Sequence, residues 1–173
     1  MKYLIASDIH GSAYWTERLV AAIESEQPDR IVLLGDLLYH GPRNDLPRDY
    51  APKRVIELLN GLAATGRLVA VRGNCEAEVD QMVLKFPILA DYAAFWLGDL
   101  MVWATHGHVY NMNNLPPFKK GDILLHGHTH IPAAQSFGDG YYYINPGSLS
   151  IPKEGSKNSY MILEGRTFTL KSV

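Results

Sequence analysis

Three short and uniformly apolar segments in the first half of the chain restrict its fold more than any other feature. They occupy residues 4–6, 31–34 and 68–71, and segments with helical periodicity separate them. Strands this apolar have no face suited to water, so the sheet that they form needs cover on both faces. Strands of this kind alternating with helices indicate an α/β fold.

Two amphipathic helices are predicted between these strands. Ser12 is of a residue type that caps helices, and the first helix is expected to run to about residue 25 with Trp15, Leu19 and Ile23 on one face. The second helix is expected over residues 51–62.

The second half of the chain is dominated by predicted strands. Glycine-containing turns are expected at residues 138–140 and 164–166. The predicted strands are residues 100–104, 123–125, 133–137, 141–144 and 160–163. Because no linker or repeat interrupts the chain, we expect one domain over residues 1–173. Its predicted architecture is a four-layer α/β/β/α sandwich, in which two mixed β-sheets are flanked by helices.

Composition excludes several classes of protein. The chain has 173 residues, of which 47% are hydrophobic and 20% charged, and these values are typical of globular proteins rather than disordered ones. Its net charge of -2 argues against a nucleic-acid partner. No apolar run approaches the roughly 18 residues of a membrane span, and the apolar start is too short for a signal peptide. The single cysteine, Cys75, cannot form an internal disulfide, so we expect a cytoplasmic protein.

Side chains of the types that bind metal ions directly follow five of the predicted strands. They are Asp8 with His10, Asp36, Asn74, His106, and His128 with His130. Ligands collect beyond the carboxyl ends of strands in open α/β sheets, so we expect these side chains to converge. In an extended chain, residues i and i+2 point to one side, which would pair Asp8 with His10 and His128 with His130.

This set of oxygen and nitrogen donors suits manganese, iron, zinc or nickel rather than a metal that prefers thiolates. Seven ligands are too many for one tetrahedral zinc ion. They suit two divalent ions about 3.5–4 Å apart that share a carboxylate, an arrangement that holds a phosphoryl group.

The order of these residues is similar to that of a known family. Asp-x-His, Gly-Asp, Gly-Asn, a single His and Gly-His-x-His resemble the calcineurin-like metallophosphoesterases, over residues 3 to about 163. Residues 40–44, 73–76 and 145–148 resemble the small single-domain phosphodiesterases of the YfcE type within that family.

The resemblance implies a ligand set and a mechanism. One ion would bind Asp8, His10, Asp36 and His130, and the other would bind Asp36, Asn74, His106 and His128. Asp36 would bridge the two ions, and a hydroxide between them would attack phosphorus in line. Manganese is the expected metal, with nickel, zinc or iron as alternatives.

Four residues are candidates for catalytic roles: Asn74, Cys75, His106 and His108. His108 is expected to contact phosphate or to support a metal ligand, and the alternative is a structural hydrogen bond. Many members of the family carry a histidine at the position of Cys75, where it is taken to protonate the leaving oxygen. A thiol is a poorer acid for this purpose, so we expect diesters with acidic leaving groups to be cleaved best. The alternative is that Cys75 is a small buried apolar residue.

Candidate substrate contacts lie close to the predicted ligands. Arg43 and Arg72 offer planar guanidinium groups to phosphate oxygens, although each is also the kind of residue that forms a solvated surface charge. Asn44 would assist Arg43, and His40 and His108 complete the candidates. His126 is expected to be a core histidine with satisfied hydrogen bonds.

The expected function is hydrolysis of small phosphodiesters by a dinuclear metal enzyme. Alternatives are a phosphomonoesterase, a nucleotide pyrophosphatase or a nuclease on the same site, or a non-catalytic interaction scaffold with this fold. A homodimer or higher homo-oligomer could form through an edge strand or exposed aromatic residues, but nothing in the sequence sets its symmetry.

Overall fold

The computed structural model describes residues 1–173, in which ten strands and three helices follow one another along the chain. The elements are β1 (Lys2–Ala6), α1 (Ala13–Glu26), β2 (Arg30–Leu33), α2 (Pro52–Ala63), β3 (Leu68–Ala70), α3 (Glu78–Val83), β4 (Tyr92–Leu97), β5 (Leu100–Thr105), β6 (Ile123–His126), β7 (Ala133–Phe137), β8 (Tyr141–Asn145), β9 (Ser159–Glu164) and β10 (Thr167–Ser172).

The strands form two five-stranded sheets, both of mixed direction. The first has the order β10-β9-β1-β2-β3, with β1, β2 and β3 parallel and β9 antiparallel to β1. The second has the order β4-β5-β6-β8-β7, with β5, β6 and β8 parallel. The prediction of two mixed sheets flanked by helices is confirmed.

Two of the three predicted apolar strands, β1 and β2, are buried on both faces, whereas β3 lies at the edge of the sheet and its Val69 is 42% exposed, so the prediction is wrong for β3. Leu4 and Leu33 belong to the core between this sheet and helices α1 and α2. Ile5 and Val32 point to the other face and pack against the second sheet. The two cores account for the absence of polar residues at positions 4–6 of β1 and 31–33 of β2, because neither face of these segments meets water.

The two predicted helices form close to their expected limits. The backbone N–H of Trp15 donates to Oγ of Ser12, which is the N-cap of α1. Pro52 begins α2, where its missing N–H costs no hydrogen bond. No helix in the structure combines the length and apolarity needed to cross a bilayer.

All three helices precede β4, and aromatic rings cover part of the outer face of the second sheet. The ring centroid of Trp103 lies 5.0 Å from that of Tyr92 and 6.4 Å from that of Phe118. Three elements were not predicted from the sequence: α3, β4 and β10. Helix α3 has six residues and buries none of them, and β10 is an exposed edge strand, so neither carries a continuous apolar run like those of β1 and β2.

The topology brings the two sheets together at the edge that carries the polar strand ends. The ring Nδ1 of His106, which follows β5, is 2.6 Å from the carbonyl oxygen of Leu34, which follows β2. The backbone N–H of His128, after β6, donates to Oδ2 of Asp8, after β1. Residues separated by 72 and 120 positions in sequence therefore meet in one place.

Candidate metal centre

The seven side chains predicted as metal ligands lie together, in two groups that share Asp36. Oδ2 of Asp36 is 3.7 Å from Nε2 of His10 and 3.5 Å from Nε2 of His106. Asp36 is almost completely buried. One carboxylate oxygen is therefore placed between two clusters of imidazole nitrogens.

The first group joins Asp8, His10 and His130 to Asp36. Oδ1 of Asp8 is 3.6 Å from Nε2 of His10 and 3.2 Å from Nε2 of His130. The two Nε2 atoms are 3.3 Å apart. All four side chains are buried, so their donor atoms face one another rather than solvent.

The second group joins Asn74, His106 and His128 to Asp36. Nε2 of His106 is 3.1 Å from Oδ1 of Asn74 and 3.1 Å from Nδ1 of His128. Asn74 is exposed and His128 is partly buried, so this group lies nearer to the surface than the first.

Backbone carbonyl groups orient three of the four imidazoles. The pairs are Nδ1 of His10 with Tyr39 O at 2.8 Å, Nδ1 of His106 with Leu34 O at 2.6 Å, and Nδ1 of His130 with Ile151 O at 2.6 Å. A carbonyl oxygen can only accept a hydrogen bond, so each Nδ1 carries a proton. In the neutral imidazoles, the Nε2 lone pairs then point into the centre, as metal ligation requires.

The hydrogen bonding of Asp8 fits a bound cation. Its Oδ2 accepts hydrogen bonds from the hydroxyl of Ser7 at 2.6 Å and the backbone N–H of His128 at 3.0 Å. Its Oδ1 is buried and has no hydrogen-bond donor. A buried carboxylate oxygen without a partner is costly. The oxygen and nitrogen donors around it suit a borderline divalent metal.

The pKa values show that the centre favours positive charge. Burial raises the pKa of Asp8, but the contacts with His10 and His130 outweigh burial and hold it well below its usual range. Burial lowers the pKa of His106, but Asp36 and the charge of Asp8 overcome this effect and raise it to about 9. Protonated imidazoles or divalent cations could supply this positive charge, and a cation would displace the protons.

Five of the predicted ligands adopt a left-handed backbone conformation. Their φ angles are 57° at Asp8, 50° at His10, 55° at Asp36, 65° at His128 and 62° at His130. The extended conformation assumed from the sequence for these pairs is therefore wrong. A left-handed residue other than glycine costs about 1–2 kcal/mol. Such conformations cluster at functional sites, where the surrounding structure holds them.

The buried acid Glu76 positions the bridging carboxylate. Its side chain accepts hydrogen bonds from the backbone N–H groups of Asp36 at 2.9 Å, Leu37 at 2.7 Å and Gly73. Burial, followed by the charge of Asp36, raises the pKa of Glu76. Glu76 lies in segment 73–76, which resembles the family, but no role was predicted for it from the sequence. The only local indication of a role is that this acidic residue follows Asn74, a predicted metal ligand, by two positions.

The turn at residues 145–148 supports the centre from behind. The hydroxyls of Ser148 and Ser150 donate to the carbonyl oxygen of Asp8, at 2.9 and 3.0 Å. The side-chain amide of Asn145 donates to Gly127 O and to Oγ1 of Thr129. These bonds hold the strained backbone on both sides of the centre.

The candidate metal ligands open into a polar cleft of about 410 Å³. Arg43 and Asn44 line it, as the sequence analysis predicted, together with Cys75. Lys153 and Thr129 also line it, although neither was predicted from the sequence. The salt bridges formed by lysine and arginine elsewhere in the chain use Lys2, Arg54, Arg166 and Lys171. Arg43 and Lys153 therefore present their charges to the cleft without an acidic partner.

Two predicted substrate contacts lie elsewhere. The exposed Arg72 is not among the residues that line the cleft. The ring of His40 packs against Tyr39 and Tyr50, with centroids 4.8 and 5.2 Å away, and it does not line the cleft either. Arg72 and His40 lie near predicted metal ligands in the sequence, but this proximity did not predict whether their side chains face the cleft.

His108 lies beside the ligands, on the other side of His128 from the cleft. Its ring centroid is 5.4 Å from that of His106, and it lines a separate cavity of about 270 Å³. Burial and the charge of His106 lower its pKa. His126 is buried, as predicted, and packs on Tyr143 with its Nδ1 2.9 Å from the carbonyl oxygen of Gly127, while its Nε2 has no partner within the protein.

Cys75 lies at the edge of the metal centre. Its Sγ accepts a hydrogen bond from Nδ2 of Asn74 at 3.3 Å, and it lies within 4.8 Å of the ligand atoms of His10 and Asp36. Burial, followed by the charge of Asp36, raises the pKa of the thiol. These surroundings make the thiol a weaker acid than a free cysteine.

Comparison with known proteins agrees with this geometry. Residues 1–167 match the calcineurin-like phosphoesterase superfamily domain. The chain is 47% identical over 164 residues to phosphodiesterase YfcE of Escherichia coli K12, covering 95% of this chain and 88% of that protein. It is 25% identical over 170 residues to YsnB of Bacillus subtilis, named a probable metallophosphoesterase, covering 94% and 83%.

The structure of YfcE from E. coli superposes on this chain with a TM-score of 0.95 and 45% sequence identity, covering 99% of this chain and 93% of that one. The predicted fold and family resemblance are confirmed, as is a metal-dependent phosphoesterase at the level of the family. On the family match and on the identity to YfcE, the chain belongs to the calcineurin-like phosphoesterase superfamily.

Proposed function

We propose that this chain is a dinuclear metal-dependent phosphodiesterase that hydrolyses small phosphodiesters. The observation that carries the proposal is the position of Oδ2 of Asp36, 3.7 Å from Nε2 of His10 and 3.5 Å from Nε2 of His106. A single carboxylate oxygen shared by two donor groups is the arrangement that two-metal hydrolases use. The name of the E. coli relative, phosphodiesterase YfcE, supports the choice of reaction.

Each donor group would hold one ion. The first ion would bind Asp8, His10, His130 and Asp36, and the second would bind Asp36, Asn74, His106 and His128. Two bound divalent ions supply an activated water as nucleophile and neutralise charge on the phosphoryl oxygens. Manganese is the expected metal, and nickel, zinc and iron suit the same donors.

The cleft supplies the remaining contacts to the substrate. Arg43 and Lys153 are the cations that line it, and they would hold the non-bridging oxygens of the phosphodiester. Asn44 donates from Nδ2 to the carbonyl oxygen of His40 at 2.7 Å, which stabilises the loop that carries Arg43. The raised pKa of Cys75 makes it a weak proton donor, so the reaction would favour acidic leaving alcohols.

The size and charge of the site favour a small substrate over nucleic acid. A cleft of about 410 Å³ is in the range of small-molecule sites. The net charge of -2 argues against binding that depends on neutralising a phosphate backbone. A nuclease would show binding that weakens steeply with salt, and we expect no such dependence here.

The proposal is tested by removing the metal with a chelator and adding back manganese, nickel, zinc or magnesium. Metal content is measured alongside hydrolysis of bis(p-nitrophenyl) phosphate and p-nitrophenyl phosphate. We expect two ions per chain and rescue by manganese with the diester preferred. Equal hydrolysis of the monoester would be consistent with the dinuclear site but would contradict the assignment as a phosphodiesterase. Two bound ions without any activity would favour an interaction scaffold.

A matched pair of variants tests the bridging role. Asp36→Asn should lose activity and at least one of the two ions, because an amide cannot bridge as an anionic carboxylate does. Asp139→Asn, in the exposed β7–β8 turn, should keep both ions and full activity. Loss of activity in Asp36→Asn with both ions still bound would contradict the assignment.

The single cysteine and an exposed edge strand support proposals for location and assembly. The single cysteine favours a reducing compartment such as the cytoplasm, which cell fractionation would test. Strand β4 is an edge strand and Trp96 on it is 63% exposed, which offers a surface for a homo-oligomer. Light scattering of the purified chain would measure the oligomeric state.

A further inference from the structure

A second cavity, apolar in character, adjoins the polar cleft at Cys75. It has a volume of about 400 Å³, and eight of its ten lining residues are hydrophobic, whereas one of the twelve residues that line the polar cleft is hydrophobic. Cys75 is the one residue that lines both. We call the second cavity the apolar groove, and its lining includes Tyr39, Tyr50, Ile56, Cys75, Val79 and Val83.

Several apolar side chains of the groove are exposed to solvent instead of being packed in the core. Val79 is 63% exposed, and Val83 and Tyr39 are each 42% exposed. Apolar surface gains roughly 25 cal/mol per Å² when it leaves water, so an apolar group that fills the groove would bind favourably. The only charged residue of the lining is Asp80, and its carboxylate accepts the backbone N–H of Ala77 at 2.8 Å. The groove therefore suits an uncharged group.

The wall formed by α3 is held in place by side-chain hydrogen bonds. The amide of Asn60 donates to Val83 O at 3.0 Å and accepts from the backbone N–H of Lys85 at 2.7 Å. Gln81 donates to Phe86 O and accepts from the N–H of Ile88, both at 2.9 Å. The groove is thus formed before any ligand arrives, which reduces the entropy lost on binding.

We infer that the apolar groove binds one arm of the phosphodiester substrate, and that this arm is an aromatic or other apolar group. The inference rests on the proposed function and names the substrate class of that site. Cys75 directly follows Asn74 of the metal centre and is small and uncharged, so an arm bonded to phosphorus can pass over it into the groove. The other arm would lie in the polar cleft near Arg43 and Lys153.

The test uses two inhibitors that cannot be hydrolysed because their arms are joined to phosphorus by carbon. Diphenylphosphinate carries two aromatic arms, and dimethylphosphinate presents the same anion with two small arms. Val79→Lys places a charge in the groove, at an exposed position that is not one of the metal ligands and does not line the polar cleft. The matched control is Met82→Lys, which lies on α3, is 84% exposed and does not line the groove.

We expect Val79→Lys to raise the inhibition constant of diphenylphosphinate about tenfold, which is the effect of losing one good apolar contact, and to leave that of dimethylphosphinate unchanged. Met82→Lys should change neither constant. Equal effects of both variants, or an equal effect on both inhibitors, would overturn the inference. Circular dichroism establishes that the Val79→Lys variant is folded, and its metal content establishes that it carries the metal ions.

Two further measurements separate the other outcomes. If the wild type hydrolyses no diester with any metal, the proposed function fails, and methyl NMR of Val79, Val83 and Ile56 with added diphenylphosphinate still tests the groove on its own. Light scattering distinguishes a second copy of the chain as the occupant. A dimer that Val79→Lys dissociates, with both inhibition constants unchanged, would contradict a substrate subsite.

Discussion

The carboxylate of Glu76 accepts a hydrogen bond from the backbone N–H of Asp36 at 2.9 Å, so one buried acid positions another. The same carboxylate accepts the N–H of Leu37 at 2.7 Å and that of Gly73. These three donors come from the turns after β2 and β3, so Glu76 joins the two strand ends that carry Asp36 and Asn74.

Glu76→Gln should weaken metal binding without removing a ligand. A glutamine side chain has one accepting oxygen, so its NH₂ group would face at least one backbone N–H. We expect metal affinity to fall by about 10–100-fold and stability by about 1–3 kcal/mol. Competition with a chelating dye and urea unfolding measure the two effects. Glu78→Gln, at the exposed start of α3, is the matched control, and equal metal affinity in both variants would contradict the role of Glu76.

Gly73→Ala should damage the same place by steric contact. A Cβ atom at Gly73 would lie 2.2 Å from Oδ1 of Asp36 and 2.4 Å from its backbone nitrogen, so the backbone must move. Such overpacking costs about 1–3 kcal/mol, and we expect fewer than two bound ions. Gly61→Ala is the control, because Gly61 lies within α2 and a Cβ there meets nothing within 4 Å. That variant should be more stable by about 1 kcal/mol, and urea unfolding of both proteins distinguishes the two outcomes.

Cys75→His should improve the hydrolysis of diesters with poor leaving groups. The thiol has a raised pKa, whereas an imidazole titrates near neutral pH and is a better proton donor. We expect a gain of about 10²-fold or more for an alkyl leaving group and little change for p-nitrophenolate. Rates are compared at saturating manganese, with Cys75→Ser as the control. A similar change for both leaving groups would show that Cys75 does not limit protonation.

Arg43 and Arg72 should differ in their effect on substrate binding, although they have the same side chain. Arg43 lines the cleft and Arg72 does not, so Arg43→Ala should raise KM and Arg72→Ala should leave it close to the wild-type value. A charge-assisted hydrogen bond is worth about 1.5–3 kcal/mol, which corresponds to at least tenfold in KM. Lys153→Ala should resemble Arg43→Ala. The structure would be contradicted by a larger effect at Arg72 than at Arg43.

Glu26 should make stability depend on pH at a position far from the metals. Hydrogen bonds from Lys171 and Lys2 lower its pKa from 4.5 to about 2. The depressed pKa means that its contribution is present above 4.5 and is lost as pH falls towards 2. Glu26→Gln should therefore cost about 1 kcal/mol at neutral pH and progressively less in acid.

The measurement for Glu26 is urea unfolding of the metal-free protein at several pH values, with a chelator present. Glu24→Gln, an exposed residue of the same helix, controls for the loss of a charge. A difference between wild type and Glu26→Gln that does not shrink in acid would rule out the ion pairs as its cause.

Much of the fold followed from local pattern. The strands around Ile5 and Val32 are uniformly apolar, and a strand without a wet face must be covered on both sides, which led directly to stacked sheets and helices. The ligand set could be predicted for a related reason. Parallel strands end at one edge, so polar residues that follow each strand are brought close together whatever the loops do.

The sequence did not determine how those residues reach their positions. Asp8 and His130 are 3.2 Å apart although 122 positions separate them, and both have left-handed backbones that local preference disfavours. Only contacts between distant segments offset this cost, such as the hydroxyl of Ser148 on the carbonyl oxygen of Asp8. Pattern within a short window carries no information about such contacts.

Contacts between distant segments also determine which residues surround the metal centre. Lys153 lies at the cleft because its backbone N–H donates to the carbonyl oxygen of His130, whereas Arg72, next to a ligand-bearing turn in sequence, lies outside it. One wall of the apolar groove is helix α3, which buries no residue of its own. A hydrogen bond from the side chain of Asn60 to the carbonyl oxygen of Val83 holds this helix in place. The sequence thus determined which strand ends meet, because burial acts on every apolar residue locally. The tertiary structure decided what surrounds them, because side-chain direction depends on partners far along the chain.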